Sequence, residues 1–143
     1  MKKIFLLALV ATIALTTSCQ KEATMTVPYV FGIISHNGSA ADLAKVNSYI
    51  ASLGVPIGLR SYNSTGKGSS DDKAINSALA DADAQAKKDV TEAIAKFKTE
   101  DIQALGLAET FRFSWGCVRR TDPFSTNLFG PMTTIGEFRW NMD

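Results

Sequence analysis

Four segments of the chain have the hydrophobic pattern of β-strands. Residues 25–35 (MTVPYVFGIIS) are β-branched and aromatic, and they are apolar at both alternating sets of positions, which is typical of a central strand. Residues 55–62 (VPIGLRSY) and 132–140 also place apolar side chains at every second position. The clearest two-residue alternation lies in residues 109–119. The sequence therefore predicts four strands.

Two segments have the three- and four-residue spacing of amphipathic helices. The first begins at Ser39, whose side chain can cap it, and ends before Gly54, a residue suited to a helix terminus. The second begins after Ser69 or Ser70 and continues for about six turns to Phe97. The apolar stripe of this second helix consists of Ile75, Leu79, Ala82, Ala86, Val90, Ile94 and Phe97.

These elements follow in the order β-α-β-α-β-β, with a flexible turn at residues 63–70 and an irregular connector at residues 120–131. Because each helix has one apolar face, we expect a single α/β (α+β) domain, a two-layer α/β sandwich with both helices on one face of a mixed four-stranded sheet. A strand-helix-strand unit is normally parallel, so the first three strands are expected to be parallel and the last two antiparallel. The ends of the three parallel strands would then meet at one edge, which carries His36, residues 60–70 and residues 117–122.

The N-terminus has a pattern of its own. Met1–Lys3 is positively charged, and Ile4–Leu15 is an apolar run shorter than the about 20 residues that span a bilayer, which indicates a signal peptide. Thr16–Cys19 (TTSC) places small residues before a cysteine, so the segment resembles the lipobox of bacterial lipoproteins. The resemblance implies that residues 1–18 are a signal peptide and that Cys19 carries a diacylglycerol thioether. A conventional secretory signal with an incidental cysteine is the alternative.

The resemblance to lipoproteins also implies a location. A diacyl anchor holds a protein stably at a membrane, so the first expected partner is the membrane, through the lipid at Cys19. Gln20 stands where inner-membrane lipoproteins of some Gram-negative bacteria have Asp, which favours the outer membrane of the cell envelope over the inner membrane. Residues 19–24 are interpreted as a lipidated tether and residues 25–143 as the single domain.

The composition is that of an ordinary globular domain. Of the 143 residues, 45% are hydrophobic and 20% are charged, which excludes a disordered or multi-pass membrane protein. Of the 15 Lys and Arg residues, Lys2 and Lys3 leave with the leader, so 13 basic residues face 14 acidic ones and the net charge becomes −1. Nucleic acid is not expected as a partner, because its binding needs a concentrated positive face.

Cys117 and His36 are the candidates for nucleophilic catalysis. A thiol becomes nucleophilic when a nearby base or cation lowers its pKa, and the predicted topology places both residues at one edge. However, Cys117 continues an apolar strand face, where a free cysteine behaves as a small hydrophobic side chain. If the lipid uses Cys19, no second cysteine remains to pair with Cys117. We therefore expect Cys117 in the core, with catalysis as the alternative.

Basic residues at the same predicted edge suggest an anion site. Lys67 precedes a predicted helix N-terminus, where free N–H groups attract anions. The segment is not a P-loop, because Ser61 stands where the first glycine of that motif belongs. A solvated, flexible turn is the alternative interpretation. The other cations of this candidate site are Arg60, Arg119 and Arg120.

Neither a metal nor a cofactor is expected, because one histidine and one available cysteine cannot supply a closed zinc site. The aromatic residues near the last two strands are expected to lie mainly in the core, with a platform for sugar rings or for a partner protein as the alternative. These aromatic residues are Phe111, Phe113, Trp115, Phe138 and Trp140.

The sequence indicates a location and no specific activity. We expect a lipid-anchored lipoprotein of the cell envelope whose small, non-catalytic domain binds or scaffolds a protein or glycan partner. The alternative from another functional class is a small envelope hydrolase or thiol enzyme that uses Cys117 and His36.

Overall fold

A computed structural model of the protein describes residues 12–15, 20–127 and 129–141. Cys19 and residues 1–11 and 16–18 of the predicted leader lie outside the described residues. The strands are β1 (Thr12–Leu15), β2 (Lys21–His36), β3 (Gly58–Gly68), β4 (Phe113–Arg120) and β5 (Met132–Trp140). The helices are α1 (Ala40–Ser52), α2 (Asp71–Ile94) and α3 (Thr99–Gln103).

All strand pairs of the sheet are antiparallel, so the domain is α+β. β2 lies between β3 and β4, and β5 pairs with β4, which gives the four long strands the order β3-β2-β4-β5. β1 pairs with Ala23–Thr26 of β2. β2 is therefore central, as its apolar pattern predicted.

The predicted parallel unit and the predicted mixed sheet are wrong. β3 runs back alongside β2, starting with Gly58 opposite Phe31. The connection through α1 returns the chain to the end of β2 that it left, because β3 begins beside Phe31, five residues before the end of β2 at His36. A parallel strand would need α1 to carry the chain back to the start of β2. The predicted element order also lacked β1 and α3.

β3 lies further along the chain than predicted. Residues 63–68, which were expected to form a flexible turn, pair with β2, and α2 packs directly on their backbone. A Cβ on Gly66 would lie 2.1 Å from the backbone N of Ala78, and a Cβ on Gly68 would lie 2.8 Å from the backbone N of Ala74. In the sequence these glycines were interpreted as a turn. In the structure they allow close contact between the helix and the strand.

α2 covers one face of the sheet with small side chains. The predicted stripe is partly wrong, because Ile75 and Leu79 are only partly buried. The close approach to β3 leaves room for methyl groups and displaces the larger residues to the margins of the core. The buried residues of α2 are Ala74, Ala78, Ala82, Ala86, Val90 and Ala93.

The helix ends follow the local signals in the sequence. The side chain of Ser39 accepts a hydrogen bond from the Asp42 N–H at 3.2 Å and caps α1. Ser70 caps α2 in the same way. Gly54, just after α1, has a φ of +69°, a left-handed conformation that favours glycine.

β2 begins four residues before the predicted strand. Residues 21–24, which were interpreted as the end of a tether, pair with β3, and Ala23 is completely buried. β2 thus begins two residues after Cys19, and β1, which pairs with it, consists of residues 12–15 of the predicted leader.

Candidate functional site

The face of the sheet opposite α2, called here the open face, exposes aliphatic side chains. Its positions alternate with the buried ones, because neighbouring residues of a strand point to opposite faces. Ile57, just before β3, is 62% exposed, and Leu59 is 48% exposed. The aliphatic side chains of the open face are Val30, Ile34, Ile57, Leu59, Val118 and Met132.

A groove of about 460 Å³ crosses the open face. Its floor contains Gly32 of β2 and Gly116 of β4, which are register partners in neighbouring strands. No lining residue is charged, and Thr134 carries the only side-chain hydroxyl among them. The groove is lined by Val30, Phe31, Gly32, Ile33, Ile34, Ile57, Gly58, Gly116, Val118, Met132 and Thr134.

Glycine is present at the two floor positions for different physical reasons. A Cβ on Gly116 would lie 2.1 Å from the carbonyl oxygen of Gly136 in β5, so the packing of the strands excludes a larger residue. A Cβ on Gly32 would meet no atom within 4 Å. A glycine inside a strand costs about 0.5–1 kcal/mol relative to alanine, so Gly32 weakens the strand without any steric need. Its effect is to keep the groove open.

The connector between β4 and β5 is held in a defined shape by Arg120. This side chain is 5% exposed, and its Nη1 donates to the carbonyl oxygens of Ser125, at 2.7 Å, and Asn127, at 3.0 Å. The connector presents Phe129, which is 94% exposed, and Phe124, which is 42% exposed. The sequence correctly predicted an irregular segment, but not its internal support.

Cys117 and His36 do not meet. Cys117 lies opposite Phe31 in the sheet, whereas His36 lies opposite Phe113, four residues away along β4 and thus roughly 13 Å distant. Cys117 is completely buried, and His36 is exposed. Burial, reinforced by the negative charge of Asp83, raises the pKa of Cys117 to about 12. The thiol therefore stays protonated near neutral pH, which is the opposite of what a nucleophile needs.

Two of the predicted anion-binding cations lie far apart on β3. Arg60 Nη1 is 3.1 Å from the carboxylate of Asp89 in α2, and Lys67 Nζ is 3.8 Å from the carboxylate of Glu22 in β2. Seven residues of strand separate Arg60 from Lys67, which is roughly 23 Å. Each cation therefore has its own carboxylate partner.

The other two predicted cations lie in separate surroundings on β4. Arg119 binds Asp83 of α2 through two hydrogen bonds, Nε to Oδ1 at 2.7 Å and Nη2 to Oδ2 at 2.8 Å. Tyr29 donates its hydroxyl to the same carboxylate at 2.7 Å. The hydrogen bond to Asp83 raises the pKa of Arg119, and burial together with that carboxylate raises the pKa of Tyr29. Since Arg120 binds connector carbonyls, the structure does not assemble the four-cation site.

The aromatic residues near the last two strands pack on the α2 side of the sheet. Trp115 and Phe113 are buried, and Phe97 packs against both Trp115 and Phe138, with ring centroids 5.3 and 4.8 Å apart. These rings form the core and not a platform for sugar rings. Trp140 is partly buried against the same core.

Sequence reasoning did not identify the aliphatic side chains of the open face as a candidate site. A signal for an exposed apolar face was present in the sequence. Residues 25–35 are apolar at both alternating sets of positions, but the two predicted helices cover only one face of the sheet. The pattern was interpreted only as that of a central strand, although the predicted two-layer arrangement left one face of the sheet without helices. Ile34, Ile57 and Leu59 instead remain accessible.

Comparison with protein-family models, with curated protein sequences and with solved structures finds no match to this chain. Within residues 12–15, 20–127 and 129–141, no helix is long and apolar enough to span a bilayer. In those same ranges, no group of three or more His, Cys, Asp or Glu residues is placed to hold a metal ion. The geometry of the sheet is therefore the basis for a functional proposal.

Proposed function

We propose that this protein is a lipid-anchored lipoprotein of the cell envelope with a non-catalytic binding domain, and that the open face is its working surface. The observation that carries the proposal is the groove, an uncharged concave surface of about 460 Å³ in a face that exposes aliphatic side chains. Small domains seldom expose contiguous apolar surface without a binding role. Because α2 packs on the other face of the sheet, this face is available to a ligand or partner.

The proposed anchor rests on the leader pattern and on the position of β2. Acylation at Cys19 would place the lipid two residues before the first residue of β2, Lys21, and cleavage after residue 18 would remove β1 from the sheet. The small residues before Cys19 and the short apolar run support cleavage by the lipoprotein route. Gln20 supports the outer membrane as the proposed location, with the inner membrane as the alternative.

The chemistry of Cys117 supports binding over catalysis. Its thiol is buried, its pKa is raised to about 12, and it lies roughly 13 Å along the strand from the position of His36. The alternative thiol enzyme requires an accessible thiol next to a base. We therefore assign Cys117 a packing role.

The anchor is tested by comparing Cys19→Ser with Cys117→Ser in the native host. We expect the wild type and Cys117→Ser to incorporate an alkyne-labelled palmitate and to partition with membranes, because acylation needs only the first thiol. Cys19→Ser should lose both properties. Equal membrane partitioning of Cys19→Ser and wild type, or a mature protein that keeps residues 1–18, would refute the anchor.

The working surface is tested by photocrosslinking in intact cells. A benzophenone amino acid at position 57, on the open face, should form an adduct with a component of the envelope. The same amino acid at position 88, on the exposed side of α2, is the matched control, since the side chain of Lys88 is 75% exposed. Similar adducts from both positions, or none from position 57, would contradict a working role for the open face.

A further inference from the structure

The groove has features that narrow the class of its ligand. Its walls are aliphatic, its lining has no charged residue, and the ring of Phe31 is buried on the other side of the sheet. Ligand pockets range over roughly 300–1,000 Å³, and the groove falls within that range. A sugar would find neither an exposed aromatic ring nor a set of polar partners in the groove. A flexible hydrocarbon chain requires neither.

The missing side chain at position 32 indicates that the opening itself is the functional feature. The fold would accept a Cβ at Gly32 without contact closer than 4 Å, so glycine is not needed for packing. A larger residue at this position would fill the groove between Val30 and Ile34. Gly32 thus lowers the stability of the strand and leaves the apolar floor of the groove accessible.

Charges on β5 give the groove a direction. Phe138 and Trp140 point to the core, so Glu137 and Arg139 project from the open face. Arg139 is exposed and lies opposite Ser114, beyond the floor glycine, whereas Glu137 lies opposite Gly116 itself. Neither residue lines the groove itself. An anionic head is attracted to Arg139 and repelled by Glu137, which lies beside the floor glycine Gly116. The tail then extends over the floor towards Met132.

From this geometry we propose that the groove binds the hydrocarbon chain of an anionic, single-chain amphiphile, with its head group at Arg139. The inference rests on the proposed function, because it names the ligand class of the same open face. Anchoring at Cys19 would keep the groove beside a membrane, which is a source of such molecules. The proposed ligands have in common a carboxylate or comparable anionic head on a linear acyl chain.

The test uses the full mature chain, purified and reconstituted into phosphatidylethanolamine vesicles. The probes are a diazirine-bearing hexadecanoate and the matching hexadecanol, and adducts are mapped by mass spectrometry. We expect hexadecanoate to label peptides that contain Val30, Ile34 or Met132. Labelling spread evenly over the outer surface of α2 would overturn the proposal.

Three variants separate the groove from general hydrophobic association. Gly32→Leu should lower labelling by about tenfold, because it displaces about two methylene groups of the chain from the groove. Thr65→Leu adds the same side chain to an exposed position of β3 outside the groove, and it should label like the wild type. Arg139→Gln should weaken labelling by the carboxylate several-fold and leave labelling by the alcohol unchanged. Equal labelling of Gly32→Leu and wild type would disprove the groove as the binding site.

The readout separates this inference from the proposed function. If Cys19 is not acylated, the same probes can be presented to the protein in solution, so a failed anchor leaves the groove prediction testable. If position 57 crosslinks to a protein in cells while neither lipid probe labels the groove, the occupant is a protein partner. That result would refute the amphiphile and retain the open face.

Discussion

Burial controls the chemistry of Cys117 at the scale of single residues. The thiol has an ordinary pKa of 9.0, and burial with the nearby carboxylates of Asp83 and Asp89 raises it to about 12. In the unfolded chain the thiol loses its proton first as the pH rises. The contribution of Cys117 to the free energy of unfolding is therefore fully present below about pH 9. It is lost between about pH 9 and pH 12.

Alkaline titration of stability tests this description of Cys117. We expect the free energy of unfolding of Cys117→Ala to fall less steeply than that of wild type between pH 9 and pH 10, since the variant has no thiol to titrate. Urea denaturation at each pH provides the measurement. Tyr62→Phe is the control, because burial and Asp89 raise the pKa of Tyr62 from 10.0 to about 12 and shift its effect to higher pH. Parallel curves for Cys117→Ala and wild type would contradict a buried, protonated thiol.

At the scale of elements, the contact between α2 and β3 depends on missing side chains. Gly66 lies against the backbone of Ala78, where a Cβ would approach to 2.1 Å. Real Cβ atoms do not come that close to backbone, so helix and strand would have to separate. The alanine face of α2 serves the same close approach from the other side.

Two glycine-to-alanine substitutions distinguish packing from function. Gly66→Ala should destabilise the protein by about 3 kcal/mol or more, because the overpacked backbone cannot yield. Gly32→Ala should leave the free energy of unfolding unchanged or raise it by about 0.5–1 kcal/mol. Urea denaturation of both variants measures the difference. A loss of stability in Gly32→Ala as large as that in Gly66→Ala would mean that position 32 is also set by packing.

Local signals in the sequence predicted the elements but not the direction of β3. Ser39, Ser70 and Gly54 mark helix ends through groups only a few residues away, and the structure confirms them. The direction of β3 depends on the end of β2 to which the connection through α1 returns the chain, beside Phe31. The apolar periods of the strands and of α1 are the same for either direction, so they carry no signal of it.

The candidate site shows the same limit at the scale of the whole molecule. Arg60 and Arg119 each pair with a carboxylate of α2, and linear order cannot reveal that pairing. Gly32 and Gly116 are both glycines in apolar strands, and only their neighbours in space show that one is forced and the other is free. The lipobox-like leader is local, so it could be identified from sequence, and it remains a prediction.

The start of β2 has a consequence for how the whole molecule meets its ligands. With an acylated Cys19, only Gln20 would separate the lipid from the sheet, a span of roughly 7 Å. The domain would then lie at the level of the phospholipid head groups and could not move far from them. Encounters would occur chiefly by lateral diffusion in two dimensions, so molecules leaving or entering the leaflet would reach the protein sooner than those crossing the aqueous space.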